Sequence, residues 1–201
     1  MAPQNTERRR ALADAAIDLL GREGVHGLTH RNVDERAGLP SGTASNYFRS
    51  RDALLVAAME RIAGLHRADM EAGSLVTAPI GRAELVGIIG ASLLYSATEQ
   101  RVRYLAVYEL TLEATRRPAL REVLTRMHEA AVTMTVGLHR RLGLDTSPDD
   151  VANLIVLYGS TLFGLLTGPS DRLTAETAAT LANAIVTGVL GPAVRVGDGV
   201  S

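Results

Sequence analysis

The sequence predicts an all-α protein of about nine helices. Apolar residues recur at three- and four-residue spacing along most of the chain, and no stretch alternates like a strand. Glycine and proline interrupt that pattern at intervals that leave room for helices of ordinary length. Two of the segments so delimited, within residues 29–48, are short and joined by a tight glycine turn, which is the helix-turn-helix pattern. The chain therefore divides into a three-helix helix-turn-helix domain over residues 1–50 and a larger helical domain over 51–201.

Each element has its own signal. The first helix runs from about Thr6 to Glu23, with Leu12, Ala16 and Leu20 on one stripe at i, i+4 spacing. Gly24 and Gly27 end it, since glycine accepts the left-handed geometry after a last turn. Thr29 is an N-cap, and a short helix follows through Ala37 until Gly38 breaks it. Pro40 and Ser41 open a second short helix that ends near Phe48. Ser50 caps the next, with Asp52 in the first turn, where a carboxylate favours the helix dipole. This fourth helix runs from Arg51 to about Ala72. Residues 73–81 read as a loop. Five further helices are expected at about 82–98, 101–116, 119–142, 148–167 and 174–190, with Pro118, Gly143, Gly168-Pro169 and Gly191-Pro192 as breaks. The tail 195–201 is expected to fray.

Apolar residues make up 46% of the 201, enough to bury a core and to exclude wholesale disorder. Cysteine is absent, so disulfides and Cys-based metal sites are excluded, and a reducing cytoplasm is the expected location. Net charge is −1, so the protein as a whole is no basic nucleic-acid glue; residues 1–52 carry a net of +1, which only permits a local contact surface. Every basic residue is arginine, whose planar fork suits phosphate. Asp14 and Asp18 break the apolar stretch that a signal peptide would need after Arg8-Arg9-Arg10. Residues 151–170 and 177–194 are uncharged, yet their Asn, Thr, Ser and Gly content favours buried helices over membrane spans.

The run THRNVDERAGLPSGTASNYF at 29–48 carries the functional signal. Val33 and Ala37 give the first short helix a small inner face, and Leu39 plugs the gap between the two helices. Ser41, Thr43, Ser45 and Asn46 then face outward on the second. Small polar groups approach base edges without clashing, and Asn can pair two ways with adenine. On spacing alone, both a DNA-reading helix and a merely solvated one remain open.

The pattern from Leu28-Thr29-His30-Arg31 through Ala37-Gly38-Leu39, Gly42-Thr43 and Tyr47-Phe48 to Ser50-Arg51-Asp52-Ala53-Leu54-Leu55 resembles the DNA-binding domain of the TetR family of bacterial repressors. It covers residues 8–55. The resemblance implies that Thr29 contacts a phosphate, that Arg31 reads a base, and that Ser41, Gly42 and Thr43 open a recognition helix in the major groove. Ser45 and Asn46 would lie near bases or backbone, Tyr47 would donate to a phosphate, and Arg51 would stand in for the usual lysine at the fourth helix, where cation and helix N-terminus together attract phosphate. Three departures stand out: Ala44-Ser45 replaces Leu-Tyr, Pro40 precedes Ser41, and Asp34 occupies a small apolar position. Arg8, Arg9 and Arg10 read equally as DNA contacts or as a solvated helix start.

In the C-terminal domain the resemblance implies a cavity for a small-molecule effector, with His66, Met70, Tyr104, Tyr108, Met127, Met134 and Phe163 as candidate lining. Met adapts to irregular space, and Tyr offers an apolar ring with a polar tip. His66, His128 and His139 match no metal-ligand spacing, no catalytic constellation stands out, and neither a metal, a cofactor nor enzymatic activity is expected. The last two helices are apolar almost all round and need cover on both sides. Ala152, Ile155, Gly159 and Leu162, with Ala178, Leu181, Ala182 and Ile185, are expected to pair with their copies across a two-fold axis, an arrangement the resemblance also implies.

The expectation is thus a cytoplasmic homodimeric regulator, acting as a repressor, that binds a near-palindromic operator in double-stranded DNA and is released by a small molecule, with the fourth helix as the lever. The rivals are a DNA-binding regulator without an inducer, and an all-α enzyme or partner-binding module with no DNA role.

Overall fold

Side-chain caps set the helix starts. The hydroxyls of Thr29, Ser50, Ser147 and Thr174 each accept the backbone N–H three residues on, from Asn32, Ala53, Asp150 and Thr177, all at 3.1 Å. At Ser147 the cap is reciprocal, because the Asp150 carboxylate accepts the Ser147 N–H at 2.9 Å. Those bonds, from the Ser147 hydroxyl first and its backbone second, hold the Asp150 carboxyl below its usual range.

The computed structural model describes residues 3–73 and 78–191. Among the described residues there are nine α-helices and no strand: α1 (Pro3–Gly27), α2 (His30–Arg36), α3 (Thr43–Tyr47), α4 (Arg51–Gly73), α5 (Arg82–Thr98), α6 (Arg101–Ala114), α7 (Pro118–Arg141), α8 (Pro148–Thr167) and α9 (Ala175–Leu190). A 3-10 turn at Ser170–Arg172 precedes α9. The tail expected to fray lies outside the described residues. Gly24 breaks helical geometry inside α1, with φ 71° and ψ −175°, and one further turn follows it. α1 also starts earlier than expected, at Pro3 rather than near Thr6, and two later boundaries differ from expectation. α6 stops at Ala114, and residues 115–116 form a turn closed by the Arg116 N–H on the Glu113 carbonyl at 3.0 Å. α3 starts at Thr43 rather than at Pro40–Ser41, because Gly42 before it is left-handed, at φ 89°.

The backbone groups into two compact units, Met1–Gly73 with Gln100–Ala131 and Ser74–Glu99 with Val132–Ser201. In the first, α1 packs on α6, α4 and α2. Leu12, Leu28, Val33, Leu54, Leu55, Met59, Ile62 and Leu110 are fully buried there; burial of each large side chain contributes about 1.5–3 kcal/mol. Arg61 grips the Asp14 carboxylate at 2.7 and 3.2 Å, tying α4 to α1, and Arg36 reaches Asp18 and Glu23, tying α2 to α1. These pairs are partly exposed, so they fix orientation more than they add stability.

In the second unit, α5, α8 and α9 pack together. Gly90 lets α5 approach α9 so closely that a Cβ on it would stand 3.3 Å from the Ala179 Cα. The Tyr158 hydroxyl bonds Ser92 at 2.8 Å and Ser96 at 3.0 Å. Four residues expected on an outward pairing face, Leu162, Ala178, Ala182 and Ile185, are buried within this unit instead. The small residues of α9 serve its contact with α5. Ala152, Ile155, Gly159 and Leu181 are half-buried. The apolar residues that α8 leaves exposed are Val156, Leu157 and Phe163. α8 is long and apolar enough to cross a membrane by length and composition, and it packs on α5 and α9.

Gly21 is the tightest joint of the first unit. A Cβ there would lie 2.1 Å from the Val102 carbonyl oxygen, a backbone atom that cannot swing away. Gly21→Ala is therefore expected to lower the urea-unfolding free energy by about 2–3 kcal/mol, although alanine is the better helix former. Unchanged or raised stability would show that α1 and α6 do not meet there.

Candidate nucleic-acid interface

The helix-turn-helix is built from the inside outward. Val33 is fully buried, and the chain turns at Gly38, at φ 64°. Leu39 packs partly buried against the core. Ala44 of α3 and Phe48 just after it are both buried and face inward. That leaves Ser41, Gly42, Ser45 and Asn46 exposed, with Thr43 and Tyr47 half-buried at the edge. The Thr43 hydroxyl donates to the Pro40 carbonyl at 2.5 Å and the Ser45 hydroxyl to the Gly42 carbonyl at 2.9 Å, so both fold back on the turn. Asn46 offers its amide outward.

Asp34, a departure from the family pattern in the sequence, has a structural role that the pattern does not show. It is buried at 3% exposure, and its carboxylate accepts the Gly42 N–H at 2.8 Å and the Ala44 N–H at 2.6 Å. The available signal is a polar residue at an inner position of α2, eight before a glycine N-cap. Two further bonds seat α2: His30 Nε2 meets the Phe48 carbonyl at 2.7 Å, and the Asn32 side chain donates to the Gly27 carbonyl at 2.9 Å.

The cations fall into distinct roles. Arg31 is exposed on α2, and Arg8 and Arg10 are exposed on α1. Arg9 instead lies over the Phe48 ring, 4.7 Å from its centroid, and braces the end of α3. Arg51 donates Nε to the Leu28 carbonyl at 3.1 Å and Nη2 to the Val25 carbonyl, so it satisfies the end of α1. It also lines an open polar pocket of about 590 Å³ with Val25, His26, Asp52, Glu113, Arg116 and Arg117. There Arg117 bridges Asp52, at 2.9 Å, and Glu113, linking the first turn of α4 to the end of α6.

A second cluster lies toward the other end of α4 and α6. The His66 and Tyr104 rings stack at 5.2 Å with 26° between planes. Arg103 reaches Asp69 at 2.5 Å and also Gln100, with its guanidinium 5.7 Å from the Tyr104 ring. His66 Nε2 and Arg103 Nε are buried without a hydrogen-bond partner. Burial, helped by the Arg103 charge and opposed by Asp69, lowers the His66 pKa to about 4. Met70 and Tyr108 are half-buried in the same unit, where Met127 packs against the core. Met134 and Phe163 belong to the second unit, and Phe163 is 46% exposed. His139 is buried there with Nδ1 on the Thr146 hydroxyl at 2.9 Å, and desolvation lowers its pKa. No group of three metal-ligating side chains occurs among the described residues.

Comparison with known proteins matches both parts of the chain. Residues 12–58 match the family described as bacterial regulatory proteins, tetR family, and residues 80–192 match the tetracyclin repressor-like C-terminal domain. The HTH-type transcriptional regulator BetI of Escherichia coli O45:K1 is 38% identical over 78 residues, 39% of this chain; the match spans 40% of that relative's length. Among solved structures, the multidrug binding protein EbrR complexed with ethidium is 30% identical over 92% of this chain and 99% of its own, with a TM-score of 0.65. A transcriptional regulator from Rhodococcus sp. Rha1 shares the fold at a TM-score of 0.74 and 17% identity, over 90% of this chain and 95% of its own.

The His66 cluster gives a pH dependence with a definite sign. The unfolded state takes up a proton near pH 6.5, whereas folded His66 does so near 4. The stability from neutral His66 is thus complete above 6.5 and is lost as pH falls toward 4. Between pH 7 and 4, His66→Phe is expected to lose less unfolding free energy than the parent, by about 2–3 kcal/mol at most. Equal losses in urea titrations of the two proteins would show that His66 is not held neutral.

Proposed function

As the chain belongs to the TetR family of bacterial regulatory proteins, and is therefore a DNA-binding transcriptional regulator, we propose that it acts in the cytoplasm as a homodimeric repressor released from a near-palindromic operator by a small molecule. The observation that carries this reading is the outward polar face of α3. Ser41, Ser45 and Asn46 stand exposed over a buried Ala44 and Phe48, with Arg31 exposed on the neighbouring helix. Base contacts are assigned to Arg31 and Asn46. Phosphate contacts are assigned to Thr29 and Tyr47 and to any donor of Arg51 beyond those held by α1. Two copies of α3 would need to sit ~34–36 Å apart to enter successive major grooves.

The pairing surface is proposed to centre on the exposed Val156, Leu157 and Phe163 of α8, with Ala152, Ile155, Gly159 and Leu181 at its margin. The effector site is proposed around His66, Met70, Tyr104, Tyr108 and Met127. The stacked His66–Tyr104 pair and two buried, unpartnered nitrogens support it. So does EbrR, a relative whose complex holds ethidium. An effector shifts the equilibrium only by its differential affinity for the two conformers.

Operator fragments recovered from genomic DNA give the test. On them, Arg31→Ala and Asn46→Ala are each expected to cost about 1–3 kcal/mol of binding free energy, and affinity should fall steeply with salt. Equal losses on random DNA would assign both residues to phosphate. Operator binding that no compound weakens, in a screen including ethidium and proflavin, would favour a regulator without an inducer.

A further inference from the structure

We propose that Asp34 is a positioning residue for base reading: from α2, its buried carboxylate fixes the tilt and register of α3 by closing that helix's amide end. The inference rests on α3 being the helix that reads bases.

The first turn of a helix leaves its N–H groups without intrahelical partners, and an N-cap side chain usually accepts one of them. Here the N-cap is Gly42, left-handed and without a side chain to offer. The nearby hydroxyls of Thr43 and Ser45 are turned to carbonyls, on Pro40 and Gly42. The accepting group comes instead from another helix. One Asp34 oxygen takes the Gly42 N–H at 2.8 Å and the other takes the Ala44 N–H at 2.6 Å. The backbone carbonyl of the same residue accepts the Leu39 N–H at 2.9 Å, so α2, the turn and α3 all converge on Asp34. A carboxylate at 3% exposure persists only when paired, and two N–H donors at the positive end of a helix supply that pairing.

DNA recognition inherits a constraint from this arrangement. Helix amide ends commonly bind phosphate. In α3 the N–H groups of Gly42 and Ala44 are already held by an internal carboxylate. The helix therefore meets DNA through Ser41, Ser45 and Asn46, and an error in its tilt falls on base contacts before it falls on general charge attraction.

The test compares the full-length parent with Asp34→Ala and Asp34→Asn. Asparagine keeps the size but presents an amide donor to one of the two N–H groups. Affinity is read by fluorescence anisotropy on a recovered operator and on a random duplex of equal length, at one salt concentration. Far-UV circular dichroism and amide hydrogen exchange at Ala44 are read alongside. Operator affinity is expected to fall about tenfold or more, with random-duplex affinity changing less than about threefold and exchange at Ala44 speeding up. Asparagine should show the same pattern more weakly, and it carries the test if the alanine variant does not fold. An unchanged preference for operator over random DNA in a folded variant overturns the proposal. A parent with no sequence preference overturns the base-reading role of α3, and the role of Asp34 with it.

Discussion

A helix of five residues cannot hold itself together in water, because nucleation alone outweighs the few bonds it makes. That constraint governs the DNA-facing end of this protein. α3 exists because its surroundings hold it: Ala44 and Phe48 anchor its inner face, Asp34 closes its amide end, His30 meets the Phe48 carbonyl, and Arg9 covers the Phe48 ring. Each anchor approaches from the protein side. The outward face is left to small polar side chains, which is what close approach to base edges requires. The same anchors fix the position of that outward face, so contacts made through it would need little ordering on binding.

α6 extends this arrangement along the first unit. It lies against α1 at Gly21, its Glu109 carboxylate accepts the Val25 N–H at 3.1 Å, and the turn after it pairs with Asp52 through Arg117. The sequence suggests α4 as the natural lever between effector and DNA. In the structure α4 and α6 are joined by the His66–Tyr104 stack, and both reach the polar pocket around Arg51, so under the proposed mechanism the two helices would act as that lever together. A change in the spacing of the two helices at the stack would be felt at the end of α1, where the helix-turn-helix begins.

Helix positions are largely legible in the sequence, because caps, glycines and prolines act locally. α8 is expected at 148–167 and spans Pro148–Thr167. The helix-turn-helix is equally plain, since its turn needs Gly38 and its core needs small apolar residues at fixed offsets. What stays hidden depends on contacts distant in sequence. Nothing near Asp34 in the chain announces that its partners are the N–H groups of Gly42 and Ala44. The resemblance implies a phosphate contact for Arg51, yet two of its donors serve carbonyls that precede it by more than twenty residues. Four residues of the expected pairing face are buried within their own unit for a geometric reason. On a helix apolar all round, the composition does not say which side meets the subunit's own core. Gly90 on α5 lets the α9 backbone at Ala178–Ala179 approach closely, which buries the Ala178 side chain.

The absence of cysteine permits a direct measurement of what DNA would see. A spin label on a single cysteine introduced at Arg49→Cys, exposed just beyond α3, would report the separation of the two α3 helices in the proposed dimer. With operator bound, pulsed dipolar spectroscopy should give a narrow distribution centred near ~35 Å, one turn of B-form DNA. The absence of dipolar coupling on operator, or a bound distance far from one helical turn, would contradict a dimer that reads successive major grooves.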